Sequence, residues 1–331
     1  MKKIIDEKEL DIVLPILGQD KYLKTKSNEY GWFKKNDLLI AFFIDKHLFF
    51  RRLVFTTEVI SRSREVTIAD EKQFLGNVLD FIKEYKICDF VYKAQSNVVL
   101  KSCPDNSKCV EWGTYEVNLQ CNEEELFSSF NQKSRNVIRK ALKSHVYVEI
   151  SENIEEIYHN IKNTLVRQKS IHYPSLDYLK KLSYLKTNAA FFVVKQDKNI
   201  QGSLVLLFDN ETGYAMYAGS IQKPATGSLD LLHFKAMKFL QTKNIKIYDF
   251  VGTRINIKKD SKQEGIDRFK RKFNPSLRRG YAFMSVINPI KYTIFTFLSK
   301  VYLRLKGYEY ADPILKITLE ELEDHDSVQN I

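Results

Sequence analysis

The sequence predicts an α+β protein with mixed sheets, built from two tandem lobes of similar topology. A six-residue pattern occurs twice, at Lys86–Val91 (KICDFV) and Lys246–Val251 (KIYDFV), with five identical positions and a separation of 160 residues. Each copy alternates as a strand does, and each follows a helix-like stretch, Phe74–Tyr85 or Leu231–Lys243. Two strand-like segments precede each helix. The repeated unit is therefore a whole fold, which indicates an internal duplication.

Length and composition suit two folded domains that act on an anionic partner. The 331 residues are 44% apolar and 13% aromatic, which is enough to fill two cores. A formal charge of +11 favours nucleic acid, a nucleotide-linked sugar or an acidic membrane surface. A lysine-rich solvated surface would give the same charge, so charge alone does not choose among these partners.

The cysteines and the hydropathy pattern predict a cytoplasmic protein. Cys88, Cys103, Cys109 and Cys121 lack CxxC spacing, so neither a zinc knuckle nor a disulfide scaffold is expected, and a reducing compartment fits. The N-terminus has no apolar segment of the kind found in signal peptides, and the chain has no run of 18 uncharged apolar residues.

The first lobe is predicted to contain a strand pattern followed by a helix and two further strands. Short polar turns separate the first three strands. The predicted elements are strands at Gly31–Phe33, Leu38–Ile44 and His47–Phe55, a helix at Ala69–Tyr85, and strands at Ile87–Lys93 and Thr114–Leu119.

The second lobe repeats this order after an opening helix that Asn122 can cap. The predicted elements are helices at Glu123–Lys143 and Ile154–Lys169 flanking a strand at Val146–Ile150, a meander at Ala189–Lys195, Gln201–Phe208 and Tyr214–Gly219, a helix at Leu229–Thr242, and strands at Ile245–Val251 and Tyr281–Ile287. Helix, three-stranded antiparallel meander, helix, strand and closing strand is the order of the GNAT acyltransferase fold. We expect GNAT-like lobes at 1–120 and 121–288, a helical segment at 289–318 that packs on the first lobe, and a frayed acidic tail at 319–331.

Distributed motifs resemble the Fem family of peptidoglycan interpeptide-bridge aminoacyltransferases. They keep the family order over residues 111–281: Trp112–Leu119 (WGTYEVNL), Glu124–Phe127 (EELF), Lys133–Ala141 (KSRNVIRKA), Tyr217–Ser220 (YAGS), Ser228–Leu232 (SLDLL), Tyr248–Gly252 (YDFVG), Phe269–Phe273 (FKRKF) and Tyr281. Fem enzymes are tandem GNAT lobes, in agreement with the duplication. Longer members carry a coiled-coil arm, and this chain has no such heptad insertion, so it resembles the short form.

The resemblance implies transfer of an amino acid from aminoacyl-tRNA to the side-chain amine of a peptidoglycan precursor. The expected partners are aminoacyl-tRNA and a nucleotide- or lipid-linked muramyl peptide, and no metal or bound cofactor is required. Aminoacyl transfer depends largely on positioning, since the tRNA hydroxyl leaves more easily than an amide nitrogen. Few catalytic side chains are therefore expected.

The Phe-Lys motif supplies the first catalytic candidate. Lys270 matches the family lysine associated with the tRNA-bound donor, where its cation would stabilise the acyl carbonyl or pair with the terminal phosphate. Phe269 could stack on the terminal adenine, and Arg271 could bind the donor. The alternative is a basic loop around two core phenylalanines. Asn274 and Pro275 replace the glycines that usually follow this motif, so the loop could be shaped for another donor.

Asp249 is the second catalytic candidate, because it ends a strand before Gly252 and could orient the acceptor amine or take its proton. Asp89 occupies the same place in the first repeat, where no chemistry is expected. A structural role, such as capping a neighbouring loop, therefore competes with catalysis at Asp249. Tyr217 is an acceptor-binding candidate from its motif, and Lys34 and Arg51 are acceptor candidates in the first lobe.

A basic stripe is predicted on the first helix of the second lobe. Arg135, Arg139, Lys140 and Lys143 lie on roughly one face, which could grip tRNA phosphates or could simply be solvated. A second basic segment, 290–306, combines large apolar residues with lysine and arginine. It could contact the anionic inner face of the cell membrane, or it could pack on the first lobe.

The loop before the helix at Leu229 separates a tRNA-dependent from a CoA-dependent enzyme. CoA-binding GNAT lobes hold pyrophosphate on a glycine-rich loop, whereas this loop, Gln222–Ser228 (QKPATGS), has a proline and one glycine. Pyrophosphate binding is disfavoured. Two alternatives stay open: an acyl-CoA-dependent N-acyltransferase acting on an amino sugar of a surface polysaccharide, and a non-catalytic protein that binds tRNA or precursor.

Overall fold

The computed structural model describes residues 1–170, 173–257, 259 and 261–308. The chain divides into two compact units. Unit 1 comprises Met1–Thr114, Gly252–Ile266 and the chain from Arg278 onward, and unit 2 comprises Tyr115–Val251 and Asp267–Leu277. The expected acidic tail at 319–331 and the end of the expected helical segment, 309–318, lie outside the described residues.

Helices and strands alternate along the chain as in a mixed α+β fold. The helices are α1 Asp20–Lys26, α2 Ile68–Glu84, α3 Glu123–Ser129, α4 Gln132–Lys143, α5 Ile154–Arg167, α6 Leu176–Ser183, α7 Ser228–Gln241, α8 Lys262–Arg271 and α9 Pro289–Leu305. The strands are β1 Lys2–Ile4, β2 Tyr30–Lys35, β3 Leu38–His47, β4 Phe50–Phe55, β5 Ile60–Ser61, β6 Phe90–Val91, β7 Lys108–Asn118, β8 Val146–Ile150, β9 Ala189–Gln196, β10 Asn199–Phe208, β11 Thr212–Ser220, β12 Ile247–Asp249, β13 Thr253–Arg254 and β14 Ser276–Val286.

The two units repeat one pairing scheme, which confirms the predicted fold class. In unit 1, β2, β3 and β4 form an antiparallel meander, α2 follows, and β6 pairs parallel to β4. In unit 2, β9, β10 and β11 form the meander, α7 follows, and β12 pairs parallel to β11. Both repeated hexapeptides therefore form the strand that returns beside the third meander strand.

The closing strands belong to the opposite units from those predicted. Residues 116–118 of β7 pair antiparallel with β12 in unit 2, whereas Ser285 and Val286 of β14 pair antiparallel with β6 in unit 1. The compact units consequently differ from the expected boundaries at residues 120 and 288. The period-2 pattern identified both strands correctly, but such a pattern carries no information about the sheet edge that a strand joins.

The predicted helix at Glu123–Lys143 is two helices. The break falls at Phe130 and Asn131, because the Asn131 side chain accepts a hydrogen bond from the Ser134 amide at 2.7 Å and so starts α4. Phe130 is buried, and its ring centroid lies 5.1 Å from that of Phe273. Helices α6 and α8 were not predicted, and the second of them carries the Phe-Lys motif.

A disulfide joins Cys103 and Cys109, whose Cα atoms are 6.2 Å apart. The expectation that the cysteines form no disulfide was therefore wrong for this pair. The two residues flank the turn before β7, and a spacing of six residues belongs to no motif that would reveal the bridge. Cys88 is buried and Cys121 is half-buried, and both are free thiols.

No helix within the described part of the chain is long and apolar enough to span a bilayer. Helix α9 instead packs on unit 1 through Phe295, whose ring centroid lies 5.3 Å from that of Phe50 and 5.0 Å from that of Phe90. The helical segment expected after residue 289 is therefore present through Leu305.

Gly227, which caps α7, is expected to tolerate no side chain. Its φ is +81°, and a Cβ there would lie 2.1 Å from the carbonyl oxygen of Val137 on α4. We predict that Gly227→Ala lowers the free energy of unfolding by at least about 2 kcal/mol, from backbone strain and the clash. Urea denaturation monitored by circular dichroism measures this loss.

The matched control is Gly76→Ala in α2, because no atom lies within 4 Å of the added Cβ. Here alanine should raise the free energy of unfolding by roughly 0.5–1 kcal/mol, since glycine is a weak helix former. Equal stability of Gly227→Ala and the wild type would contradict the close packing of α7 on α4.

Candidate functional site

Unit 2 contains an opening between two parallel strands. Strands β11 and β12 pair only over Thr212–Tyr214 and Ile247–Asp249, although β11 continues to Ser220. After Asp249 the chain continues its antiparallel pairing with β7, where the Phe250 amide donates to the Tyr115 carbonyl at 3.0 Å. The edge of β11 beyond Tyr214 has therefore lost β12 as its neighbour. An opening between strands can offer main-chain groups to a ligand, although both main-chain groups of Ser220, at the end of β11, are bonded to side chains of α5.

Unit 1 closes the corresponding position with its own backbone. After β6, the Tyr92 amide donates to the Leu53 carbonyl at 2.8 Å, and the Gln95 amide donates to the Phe55 carbonyl at 3.0 Å. The chain thus stays beside β4 for four more residues. Only in unit 2 does the repeated strand leave its parallel neighbour open, so the structure distinguishes two lobes that the sequence repeat made equivalent.

Lys270 is buried at this end of β12. It lies in the last turn of α8 and is 8% exposed. Burial lowers the pKa of its ammonium group to about 8, although the carboxylates of Asp249 and Asp267 favour the charged form. The two predicted catalytic residues, Lys270 and Asp249, are thus brought into electrostatic contact where β11 and β12 separate.

Asp249 is fixed by a tight turn of the backbone. Its Oδ1 accepts a hydrogen bond from the Val251 amide at 2.6 Å, and Val251 has a φ of +55°. A positive φ is unusual for a β-branched side chain, and such strain is found preferentially at functional sites. The turn follows the last residue of β12 that pairs with β11. Asp249 is 1% exposed, and its carboxylate favours the charged form of Lys270.

The equivalent carboxylate in unit 1 has different partners. Asp89 accepts a hydrogen bond from the Arg51 amide at 2.8 Å and forms an ion pair with Lys291 at 3.0 Å. These contacts join β4, β6 and the start of α9. Asp89 therefore joins elements of unit 1.

Asp267 belongs to the same cluster and was missed by sequence analysis. It accepts a hydrogen bond from the Tyr115 hydroxyl at 2.6 Å and another from Arg271 Nε at 2.6 Å. Burial and the Asp267 carboxylate raise the pKa of Tyr115. The Asp267–Lys270 spacing becomes informative only once both residues are known to lie on helix α8. Arg271, a predicted donor ligand, is held by Asp267 and lies over the Tyr115 ring.

Aromatic side chains form the apolar surroundings of Lys270. Phe269 is half-buried, and its ring centroid lies 5.3 Å from that of His233 and 5.5 Å from that of Phe273. His233 Nδ1 lies 2.5 Å from the Tyr248 hydroxyl oxygen. Burial and the Lys270 charge lower the pKa of His233 to about 3, so its imidazole is neutral at physiological pH. His233 is thus a core side chain.

The N-terminus of α7, where a GNAT lobe would hold CoA pyrophosphate, is filled by protein groups. In its first turn Asp230 accepts a hydrogen bond from the Ser134 hydroxyl at 2.8 Å and pairs with Lys272 at 3.1 Å. The Ala225 amide of the preceding loop donates to Gln201 Oε1 at 2.9 Å. A buried carboxylate at a helix N-terminus satisfies the positive end of the dipole and repels a phosphate.

The predicted basic stripe on α4 divides into two parts. Arg135 donates to the main-chain carbonyls of Ser128 and Phe130, and it thereby caps the C-terminus of α3. Arg139 is exposed and lies over the Phe127 ring with its guanidinium carbon 5.2 Å from the centroid. Lys140 and Lys143 are also exposed. Arg139, Lys140 and Lys143 are therefore available to an external anion.

The acceptor candidates lie in both units. Tyr217 lies on β11, beyond the residues of that strand that pair with β12. Its ring centroid is 6.2 Å from that of Tyr178, and burial raises its pKa. In unit 1, Arg51 forms an ion pair with Glu29 at 2.9 Å, and Lys34 is half-buried on β2. Among the described residues, no group of three or more His, Cys, Asp or Glu side chains could hold a metal ion.

Comparisons with known proteins agree with this architecture. Residues 185–300 match the FemAB family, and no curated protein matches the chain. A crystal structure of FemX is 17% identical with a TM-score of 0.62, covering 89% of this chain and 99% of that one. A C-terminal domain from Agrobacterium fabrum, assigned to a lysylphosphatidylglycerol synthetase, is 12% identical with a TM-score of 0.50, covering 83% and 90%.

A conserved protein of unknown function from Bacteroides thetaiotaomicron is 10% identical with a TM-score of 0.51, covering 80% of this chain and 89% of that one. A segment of the chain is thus similar to the FemAB family, and most of the chain shares the fold of FemX. That segment contains the meander, α7, β12 and Lys270. These similarities support a Fem-like or related acyltransferase.

The lowered pKa of Lys270 makes a prediction about stability and pH. Lys270 binds its proton more weakly in the folded protein than in the unfolded chain. Between pH 8 and 10.5 the unfolded state therefore holds more protons than the folded state, and the free energy of unfolding rises with pH. The difference between the folded and unfolded pKa values of Lys270 corresponds to roughly 3 kcal/mol of unfolding free energy. The free energy of unfolding of the wild type should therefore rise by up to about 3 kcal/mol relative to Lys270→Met across this range.

Urea denaturation of both proteins at pH 7, 8, 9 and 10 measures the difference directly, since other titrating groups are shared and cancel. A difference that does not change with pH would show that the Lys270 ammonium remains solvated. Lys198→Met, at the exposed β9–β10 turn, provides the control and should show no such dependence.

Proposed function

We propose that this protein transfers an amino acid from aminoacyl-tRNA to the side-chain amine of a peptidoglycan precursor peptide. The observation that carries the proposal is the buried Lys270–Asp249 pair at the opening between β11 and β12, within the FemAB-matching segment. The same segment supports an acyl transfer reaction in general. The donor and the acceptor are the parts that the proposal adds.

The proposed reaction is the aminolysis of an ester. The acceptor amine attacks the carbonyl carbon of the aminoacyl ester, and a tetrahedral oxyanion forms. The intermediate collapses with cleavage of the ester C–O bond, the amine loses a proton, and the leaving 2′- or 3′-hydroxyl of the tRNA takes up a proton. The products are an amide and a free tRNA, so no oxidant or external energy source is needed.

Lys270 is suited to stabilise the oxyanion. Its ammonium group lies in an apolar surrounding, where an electrostatic interaction is stronger than in water. Asp249 keeps part of the lysine population charged despite burial, and its own carboxylate can orient the attacking amine or accept its proton. Asp267 also favours the charged form of Lys270, and its carboxylate is held by hydrogen bonds from Tyr115 and Arg271.

The donor is proposed to be tRNA, because protein groups fill the position at which acyl-CoA usually binds a GNAT lobe. Asp230 and Lys272 occupy the N-terminus of α7, and the Gly227 backbone packs against Val137. A CoA pyrophosphate would have to displace this ion pair. The exposed cations of α4, by contrast, offer phosphate contacts without any rearrangement, and half-buried Phe269 offers part of its ring for stacking.

The acceptor is proposed to be a muramyl peptide linked to a nucleotide or to a lipid. Tyr217 lies on the open edge of β11 and is our candidate for contact with the acceptor peptide in unit 2. Lys34 and Arg51 are the candidates for its phosphates in unit 1. Arg51 would have to share its guanidinium between a phosphate and Glu29.

The decisive experiment follows a radiolabelled amino acid from a mixed pool of charged tRNAs into three acceptors. These are a nucleotide-linked muramyl pentapeptide, its lipid-linked form, and phosphatidylglycerol, which is included because one similar structure is assigned to a lysylphosphatidylglycerol synthetase. Lys270→Ala should lower kcat/KM by about 10²–10³, the usual effect of removing one oxyanion-stabilising donor. Lys198→Ala, which removes an exposed lysine, should leave the rate unchanged.

Acetyl-CoA and longer acyl-CoA donors with an amino-sugar acceptor form the parallel arm. Label moving only from acyl-CoA would overturn the proposal in favour of an amino-sugar N-acyltransferase. Tight tRNA binding without transfer, with an affinity that Lys270→Ala does not change, would indicate a non-catalytic binding protein. If the label reaches phosphatidylglycerol but neither muramyl peptide, the proposed tRNA donor is retained and the proposed peptidoglycan acceptor is wrong.

Helix α4 makes a separate prediction about tRNA binding. Arg139→Glu and Lys140→Glu should each weaken tRNA binding and lower the slope of log K against log salt by about 0.7–0.9 per lost phosphate contact. Both side chains are exposed, so the melting temperature should stay unchanged. Binding is measured by fluorescence anisotropy between about 0.05 and 0.3 M salt.

Arg135→Ala is the informative comparison within the same helix. Its guanidinium binds two main-chain carbonyls, so its loss should lower the free energy of unfolding by about 1–2 kcal/mol. Its effect on the salt slope should be smaller than that of Arg139→Glu. Equal salt slopes in all three variants and the wild type would exclude α4 from tRNA binding.

A further inference from the structure

Helix α9 presents a wide apolar face to solvent. Its exposed apolar residues follow the spacing of one helical face: Ile290, Ile294, Phe297, Leu298, Val301, Tyr302 and Leu305. Phe297 is 64% exposed and Leu305 is 82% exposed. Single exposed apolar residues are ordinary in proteins, but a contiguous row of this size marks an interaction surface.

The opposite side of α9 is held firmly on unit 1. The Tyr292 ring lies 5.4 Å from the Phe90 ring, and Phe295 contacts both Phe50 and Phe90. Lys291 pairs with Asp89 at 3.0 Å, and the Asn288 side chain caps the first turn. The helix therefore has its own packed face, and the exposed row is a second apolar face that faces away from unit 1.

The β3–β4 hairpin places two more apolar side chains beside this row. Leu48 and Phe49 form the loop between His47 and Phe50, and they are 75% and 55% exposed. The Phe49 ring lies 4.2 Å from the Phe50 ring, which in turn contacts Phe295 of α9. Two-residue hairpin loops usually carry Asn, Asp or Gly, and Leu48 additionally has a φ of +55°.

Leucine in this conformation lowers the stability of the hairpin and exposes apolar surface at the same time. At 75% exposure, Leu48 gains little from packing within unit 1. The hairpin tip and α9 form what we call the α9 face, defined by Leu48, Phe49 and the seven exposed apolar residues of the helix. An apolar environment outside the protein would account for the exposed apolar side chains of both the hairpin tip and α9.

The charges on the α9 face select the kind of environment. Helix α9 contains Lys291, Lys300 and Arg304 and no acidic residue, and Lys306 follows directly. Lys300, Arg304 and Lys306 are exposed around the apolar row. Large apolar side chains bordered by cations match the boundary between acyl chains and anionic headgroups. A protein partner would need a groove that is both apolar and acidic.

We propose that the α9 face docks unit 1 on an anionic lipid bilayer, with the axis of α9 in the plane of the membrane. A helix of 17 residues that carries charges along its length is unsuited to span the bilayer, and it lies instead at the interface. Leu48 and Phe49 insert beside it as a second anchor. This surface lies outside the Lys270 site, so the proposal stands or falls independently of the transfer reaction.

The test is co-sedimentation of the full-length protein with vesicles. One set is pure phosphatidylcholine, and the other contains about one part in three of phosphatidylglycerol. The wild type should bind the anionic vesicles at about 0.1 M salt and lose much of that binding at about 0.5 M salt. The double variant Phe297→Glu with Leu298→Glu should bind at least about tenfold more weakly, since it removes apolar area and adds repulsion.

Two further variants separate docking from folding. Leu48→Asn replaces leucine with a residue that tolerates positive φ, so it should raise the melting temperature while weakening vesicle binding by about threefold. Ile68→Glu is the matched control, because Ile68 is also exposed (63%) on unit 1 and lies in the first turn of α2. It should change vesicle binding by less than about twofold.

Several outcomes would overturn the proposal. These are the absence of binding to anionic vesicles, binding that the double variant retains, and equal binding to both vesicle types. Analytical ultracentrifugation gives the remaining outcome. A dimer that the double variant converts to the 38.8 kDa monomer would show that the α9 face is an interface between two copies of the chain.

Discussion

The arrangement of unit 2 depends on the point at which the backbone of β12 leaves β11. Up to Asp249 the strand pairs with β11 on one side and with β7 on the other, and Phe250 continues only the β7 pairing, through its amide bond to the Tyr115 carbonyl. The turn at Val251, which has a positive φ, follows at once, and the Asp249 side chain accepts a hydrogen bond from the Val251 amide. One local conformation therefore opens the edge of β11 and also fixes a carboxylate beside Lys270. Neither feature could be altered alone.

A buried cation next to two carboxylates is expensive to fold, and the cost explains the rest of the cluster. Burial disfavours the Lys270 ammonium more than Asp249 and Asp267 favour it, which is why its pKa falls to about 8. Asp267 is itself satisfied by Tyr115 and Arg271. The network thus holds a buried ammonium group whose charged form two carboxylates favour. A developing oxyanion would favour that charged form further.

Sequence patterns identified the meander strands, α2, α7 and the duplication, because these elements combine strong periodicity with clear turn residues. They also placed Lys270 and Asp249 among the important residues. They did not show that β7 and β14 exchange sheets, since strand pairing is non-local. Helix α8 was missed because Lys262–Arg271 is mostly polar, and Asp267 was missed with it. Arg135 looked like a phosphate ligand, whereas its carbonyl partners depend on the helix break at Phe130.

The duplication shows how one motif came to have two roles. Asp89 and Asp249 share a hexapeptide, but Asp89 binds the Arg51 amide and Lys291, while Asp249 binds the Val251 amide and faces Lys270. In unit 1 the chain after the motif stays beside β4, so the carboxylate is left to join elements of the fold. In unit 2 the chain turns away, and the same carboxylate borders an opening. The difference arises after the motif, in how the backbone leaves it, so the two copies keep the motif while their carboxylates have different partners.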